Sequence, residues 1–425
     1  MTTPLTKLKK SSLLLLFHLS FYVGMGQQVT LSLDSCLVKA DHNYPQIQQY
    51  QLLEKASQYS LENAQKGKLP QVTFFGQASY QSAVTTLPGG GVSGAPVLSK
   101  DQYKLYGEII QPLTDLAVIN QQKKIIQTSN ELSRLDIEVQ LYKIKERVSD
   151  LFFGVLLLQG QQKQTAITKS DLEAGLDRIQ AAVKYGISLQ SNEDVLMAEL
   201  LSLEQKMIEQ RAAMRSYLKM LSMFIGEDVK ESMTLVEPQF LTLTSTINRP
   251  ELTFFNTRIQ SQELQNELLS KNNLPKFSLF LQSGFGRPAL NFLSNDFQPY
   301  YVGGLRLSWK LSNYYTASGQ KQTYSINQDM INVERETFLF NTNLSLTNQL
   351  TELEKMDELI AQDLKIIVLR ERIINTSKDQ LANGVITSND YKTSVRASNL
   401  AREKMIFHEI ERLKIQNNYK LTSGN

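Results

Sequence analysis

The distribution of proline constrains this chain more than any other feature. No proline lies between Pro112 and Pro238, and none follows Pro299. A proline inside a helix costs about 3 kcal/mol, so two proline-free tracts of this length predict two long helical regions. Both tracts carry heptads. Leu339, Leu346, Leu353, Ile360, Ile367, Ile374 and Leu381 recur every seventh residue in the second tract. In the first, Ile137, Leu141, Ile144, Val148, Leu151, Val155 and Leu158 step by four and three. That spacing keeps an apolar seam turned toward a partner helix. Each tract breaks once, at Tyr185-Gly186-Ile187 and at Asn383-Gly384-Val385. The helix before each break is about 70 residues, on the order of 100 Å at 1.5 Å per residue.

The remaining sequence repeats itself. Leu69-Pro70 opens a strand-like segment, Gln71 to Ala83, and Leu274-Pro275 opens another, Lys276 to Gly286. Each is followed by a stretch rich in Gly, Pro, Ser and Asn, then by a second strand-like segment, Tyr103 to Leu113 or Tyr301 to Leu311. A predicted helix precedes each strand pair, at Leu33 to Lys66 and Pro250 to Lys271. The order per half is helix, strand, strand, long helix, break, long helix. The predicted divisions are a leader at 1–26, a first repeat at 27–225, an inter-repeat segment at 226–248 and a second repeat at 249–425.

The strands alternate in character. Val72, Phe74, Gly76, Ala78 and Tyr80 share one face of the first, opposite Thr73, Gln77, Ser79 and Gln81. Tyr301, Leu305, Leu307, Trp309 and Leu311 share one face of the fourth, opposite Arg306, Ser308 and Lys310. Periodicity alone fits two soluble hairpins with one buried face, or tilted strands long enough to cross a bilayer, with Tyr80, Tyr103, Tyr300 and Tyr301 as an interfacial girdle. The combination of parts favours the membrane. Membrane barrels begin at about eight strands, and an open strand edge in lipid leaves backbone groups unsatisfied. Four strands per chain therefore require several chains to share one barrel, with the coiled helices continuing it as a tube.

The start of the chain agrees. Lys7, Lys9 and Lys10 precede an apolar run from Leu13 to Val23, which ends in the small residues of Gly24-Met25-Gly26, the pattern of an export signal. Without those three lysines the 45 basic residues fall to the number of acidic ones, 42, so no basic surplus marks a nucleic-acid binder. The three histidines, His18, His42 and His408, show no metal spacing, and Gly89-Gly90-Gly91 lacks the Gly-Lys-Ser/Thr ending of a phosphate loop. Nothing in the sequence calls for a cofactor or an enzyme. Cys36 is the single cysteine and follows no lipoprotein box.

Taken in order, several short motifs resemble the TolC family of outer-membrane efflux channels. Leu31-Ser32-Leu33 through Ala40, Asn43 and Pro45 is similar to the family's N-terminal helix opening. Gln111-Pro112-Leu113-Thr114-Asp115 and Ser308-Trp309-Lys310-Leu311-Ser312-Asn313 resemble its exits from barrel into helices. Arg249-Pro250-Glu251-Leu252 resembles the opening of its second repeat, and Gly384 followed by Asp390 its helical tip. The resemblance implies a mainly α chain with transmembrane β-strands: a long antiparallel coiled-coil tunnel, plus four strands given to a 12-stranded barrel shared by a homotrimer. It implies an outer-membrane location with the tunnel in the periplasm, contact with outer-membrane lipid, and docking to a periplasmic adaptor and an inner-membrane transporter. The channel itself would be a passive, gated conduit. The exit channel of a type I protein secretion system has the same features, and an exported structural coiled-coil scaffold is the rival of a different class.

The resemblance also assigns site residues. Asp390, with Asn389 beside it, falls where the family lines its periplasmic constriction; the corresponding residues of the first repeat are Asn192, Glu193 and Asp194. Three copies of Asp390 would form a cation-favouring ring, and a helix N-terminal carboxylate is an equally good reading of the same residue. Gly186-Ile187 and Gly384-Val385 are the expected adaptor-docking turns. The sequence departs from the family at Ile386, where some members carry a clamping arginine, and at Thr393, where a second aspartate is replaced.

Overall fold

The computed structural model describes residues 30–85, 99–231, 233–239 and 243–425. The expected leader at 1–26 and the triple glycine at 89–91 lie outside the described residues. The first long helix, α3 (Leu116–Lys184, 69 residues), turns back into α4 (Gln190–Ile225, 36 residues). The second, α6 (Asn313–Ala382, 70 residues), turns back into α7 (Ser388–Ser423, 36 residues). The two halves thus match almost residue for residue in helix length, as the proline-free tracts predict. Along the heptad of α6, Leu346, Leu353, Ile374 and Leu381 are buried and the other three positions half-buried.

The segment expected as one helix from Leu33 to Lys66 is divided at Pro45. Here α1 (Leu33–Asn43) ends, Tyr44 is extended, and a short 3-10 turn leads into α2 (Gln48–Lys66). The ring of a proline disfavours the helical conformation in the residue before it, and Tyr44 obeys. Helix α5 (Pro250–Asn272) occupies the matching place in the second half, with proline at its first position, where no intrahelical N–H is needed.

Two sheets result. In the small one, β1 (Thr30–Ser32) pairs in parallel with β4 (Thr234–Val236), so the chain between α4 and α5 is stitched to the strand that precedes α1. Beneath it lies the main core, where Leu31, Leu33, Cys36 and Ala40 meet Val148, Phe152, Phe153, Val155, Leu218, Leu221 and Leu235. Cys36 is fully buried there, and burial pushes its thiol up to about 12, so it packs as a small apolar side chain. The large sheet is antiparallel, in the order β2 (Gln71–Tyr80), β3 (Asp101–Pro112), β5 (Lys276–Arg287), β6 (Gln298–Ser308). The hairpins of the two halves are joined side by side through β3 and β5, leaving β2 and β6 as open edges. Among the described residues no helix packs across either face, and no helix is long and apolar enough to cross a membrane.

Candidate functional site: an inverted sheet and two helical tips

The cross-strand register sorts the side chains of the sheet. One face carries Val72, Phe74, Leu105, Ile109, Leu279, Leu281, Phe285, Tyr301, Leu305 and Leu307, all exposed. The other carries Thr73, Gln77, Lys104, Glu108, Gln282 and Arg306. Glu108 is only 7% exposed, although it sits on this polar face. It accepts hydrogen bonds from Gln282 Nε2 at 2.8 Å and Arg306 at 2.7 Å, and the Arg306 guanidinium lies 4.5 Å from the centre of the Phe280 ring. A soluble sheet hides its apolar face and wets its polar one. Here the apolar face is bare, and Glu108 and Arg306 are paired on the face opposite.

The sheet ends sharply at both limits. Near the loops, Arg287 pairs with Asp101 and lies over the rings of Tyr103 and Phe297. Near the helices, the Trp309 indole and the Tyr314 hydroxyl both donate to the carbonyl of Asn273, at 3.0 and 3.1 Å. Tyr80 and Tyr103 lie on the apolar face at the loop end, as a girdle requires, whereas Tyr301, on the same face, is level with Phe74, Gly107 and Ser283 in mid-sheet. Tyr300 belongs to the opposite face, against Tyr106.

The tips are built from left-handed glycines. Gly186 (φ +72°) and Gly384 (φ +69°) terminate α3 and α6, a conformation that penalises any side chain, and nothing surrounds either one. Each turn then presents exposed aliphatics: Ile187 and Leu189 in the first, Val385 in the second. The two turns restart their helices differently. Thr387 caps α7 in a capping box: its hydroxyl accepts from the Asp390 backbone N–H at 3.2 Å, and Asp390 Oδ2 accepts from the Thr387 N–H at 3.1 Å and hydroxyl at 2.7 Å. These bonds favour the ionised carboxylate and lower the pKa of Asp390. The sign follows: the cap is intact above the ordinary carboxylate range and is lost as pH falls through the lowered value. Helix α4 begins at Leu189 with no side-chain cap. There Glu193 is held by Gln180 and Gln190, at 3.0 and 2.8 Å, Asn192 donates to Ser188 Oγ at 3.1 Å, and Asp194 is exposed. Each predicted constriction group therefore gathers at one helix start, Asn389 with Asp390 and Asn192 with Glu193 and Asp194.

Sequence reasoning missed the residue that ties the hairpins together at this end. Tyr391 is 1% exposed, among Leu172, Leu176, Leu196, Leu381 and Val395, and its hydroxyl donates to the Asp171 carbonyl at 2.9 Å. Burial pushes its phenol up to about 12. The Asp171 carboxylate in turn takes Lys378 at 2.6 Å. Ile386 is half-buried against this same cluster, so it contributes packing to the tip. Gly175 makes room for the tyrosine: a Cβ there would stand 2.5 Å from the Tyr391 ring. Because the ring is enclosed and tethered, Gly175→Ala is expected to destabilise the tip by about 1–3 kcal/mol through overpacking. Hydrogen exchange of the peptide around Tyr391 should rise, and unchanged protection there would contradict this packing.

The Arg249-Pro250-Glu251-Leu252 motif has a local structural role. Arg249 Nε pairs with Glu251 at 2.9 Å, its Nη1 donates to the Leu421 carbonyl at 3.1 Å, and its guanidinium lies 4.3 Å from the centre of the Tyr142 ring. The end of α7 is thereby fixed to the start of α5 and the middle of α3. Among the described residues no group of three metal-ligating side chains occurs.

No family model matches the sequence, and no curated protein matches it significantly. Solved structures do. The outer membrane protein VceC of Vibrio cholerae superposes with a TM-score of 0.66 at 11% identity, covering 92% of this chain and 96% of that one. CusC superposes with a TM-score of 0.70 at 11% identity, covering 92% of each chain. The MtrE outer membrane channel of Neisseria gonorrhoeae, in its open state, gives 0.65 at 13% identity, covering 92% of this chain and 88% of that one. Each match covers 92% of this chain, and the chain therefore has the fold of the TolC family of outer-membrane channels.

Proposed function

We propose that the chain is one protomer of a trimeric outer-membrane efflux channel, a passive conduit whose tips dock on a periplasmic adaptor served by an inner-membrane transporter. The observation that carries this reading is the inverted sheet. An apolar face open to its surroundings, bounded by tyrosines at one end and Trp309 at the other, fits a lipid bilayer. A face holding Glu108, Arg306 and Lys104 fits a water-filled lumen. The free edges of β2 and β6 support closure with further copies, since an edge in hydrocarbon has no partner for its backbone groups.

The helices support the same assembly. Beyond the heptad seam buried within the chain, α6 has a second seam in four-three spacing, with Ile326, Met330, Val333, Phe340 and Leu344 exposed along it. On the other side of the chain, α2 and α3 leave an open groove of about 600 Å³ lined by Leu52, Leu53, Ala56, Leu132 and Ile137. A seam on one side and a groove on the other suit a head-to-tail contact, which closes as a ring when the rotation between copies is that of a trimer.

At the tips, the exposed Ile187 and Val385 beside the left-handed glycine turns suit docking of another helical hairpin, and cysteines at these positions should cross-link to the adaptor. Asp390 is exposed and ionised, so three copies give an acidic mouth whether or not the carboxylate also caps α7. Asp390→Ala is expected to reduce cation selectivity, and Asp390→Asn should do the same with less loss of helix capping. Unchanged reversal potentials in both would remove the ring. The whole reading is tested by reconstitution in planar bilayers: discrete conductance steps support it, and a protein that stays soluble and silent contradicts it. The bare apolar face speaks against a structural scaffold, which has no use for one.

A further inference from the structure

Across the polar face of the sheet, one cross-strand row is aromatic. Phe75 pairs with Tyr106, Tyr106 with Gly284, and Gly284 with Tyr300. The rings of Phe75 and Tyr106 stack at 5.0 Å with 24° between planes, and those of Tyr106 and Tyr300 stand 6.4 Å apart at 51°. The gap in the row is enforced: a Cβ on Gly284 would meet the Leu105 carbonyl oxygen at 2.1 Å and the Tyr106 Cα at 2.5 Å. With no side chain on the intervening strand, the two tyrosines face each other across it. All three aromatic side chains remain partly exposed.

The charges around this row are asymmetric. On the helix side lies Glu108, buried, neutralised by Arg306 and hydrogen-bonded by Gln282. On the loop side, one row away on the same face, lies Lys104, exposed, between Gln77 and Gly286. No carboxylate among the described residues pairs with it. A stack of rings beside an uncompensated ammonium complements a flat ring bearing negative charge: the ring stacks and the charge meets the lysine.

We infer that this luminal row is a stacking subsite for flat aromatic anions leaving through the barrel. The inference rests on the reading of this face as the lumen. In a trimer the row recurs three times around the pore, so Phe75, Tyr106 and Tyr300 form an aromatic belt with a Lys104 above each set. A solute crossing the barrel meets this belt after the tunnel and before the loops.

The test uses the full-length channel in planar bilayers, with pyranine (8-hydroxypyrene-1,3,6-trisulfonate) as the flat aromatic anion and citrate as a non-aromatic anion. Pyranine should interrupt the current with an apparent Kd about tenfold lower than that of citrate, the contribution expected of a stacked ring. Tyr106→Leu should erase that difference, and Tyr106→Phe should keep it, because the ring remains. Tyr300→Leu, on a different strand, gives the same test should Tyr106→Leu fail to assemble. Lys104→Gln should weaken the block by pyranine while leaving its dependence on Tyr106. Equal block by both anions, or a pyranine block indifferent to Tyr106→Leu and Tyr300→Leu, would overturn the subsite while leaving the pore in place. A protein that forms no pore would instead overturn the reading of this face as a lumen.

Discussion

Leu281→Arg should prevent stable insertion of the protein, whereas Thr73→Lys should be tolerated. Leu281 sits mid-strand on the bare apolar face, between Ile109 on one side and Gly303 on the other. If that face meets lipid, an arginine near the bilayer midplane costs about 2–4 kcal/mol in each copy, and a shared barrel suffers it once per chain. Thr73 lies on the opposite face, directly across from Glu108, and is itself exposed, so an added ammonium there extends into the lumen and stays hydrated beside the Glu108–Arg306 pair. Urea extraction of membranes and unfolding from lipid vesicles measure both. Equal tolerance of the two substitutions would mean that the faces have been assigned wrongly. Greater damage from Thr73→Lys would mean that they are reversed.

The second large effect belongs to the exposed seam of α6. Phe340→Ala should cost about 2 kcal/mol at each interface, the loss typical of an aromatic anchor, and pairing it with Val333→Asp should leave monomers in detergent. Phe340 is 64% exposed in the chain and Val333 61%, so neither substitution has much to disturb within a single protomer. Helix content should therefore be unchanged while the assembly is lost. An intact oligomer in the double variant would place the subunit contact elsewhere on the surface.

Much of this architecture was legible because it is local. The absence of proline from two tracts implied α3 and α6, and the glycines at 186 and 384 marked their ends, since a left-handed residue closes a helix wherever it stands. The errors have local causes too. The last strand was expected at Tyr301–Leu311, but it runs from Gln298 to Ser308. Pro299 tells against an early start, yet it is only the second residue of β6, at the loop end of the strand, where a missing N–H disturbs little of the ladder. Trp309 leaves the sheet because its indole bonds to Asn273. The single helix expected across Pro45 ignored the effect of a proline on the residue before it.

The interactions that define the candidate sites were illegible for a different reason. Arg306 reaches Glu108 across 198 residues of sequence, and Tyr391 reaches Asp171 across 220. Periodicity in either segment says nothing of the other, so neither pair leaves a trace until the halves are laid side by side. Asp390 stands between these extremes. Its place in a capping box is readable from Thr387-Ser388-Asn389-Asp390, whereas a charge at the mouth of a tunnel depends on copies that a single chain does not contain.

The central claim is that several copies of this chain close one barrel, and the mass of the assembled protein tests it most directly. Light scattering of the detergent-extracted protein, corrected for bound detergent, should give three times the mass of one chain. A monomer recovered without detergent would contradict the account, because a soluble single chain would have to cover the apolar face and the free edges of its sheet by itself.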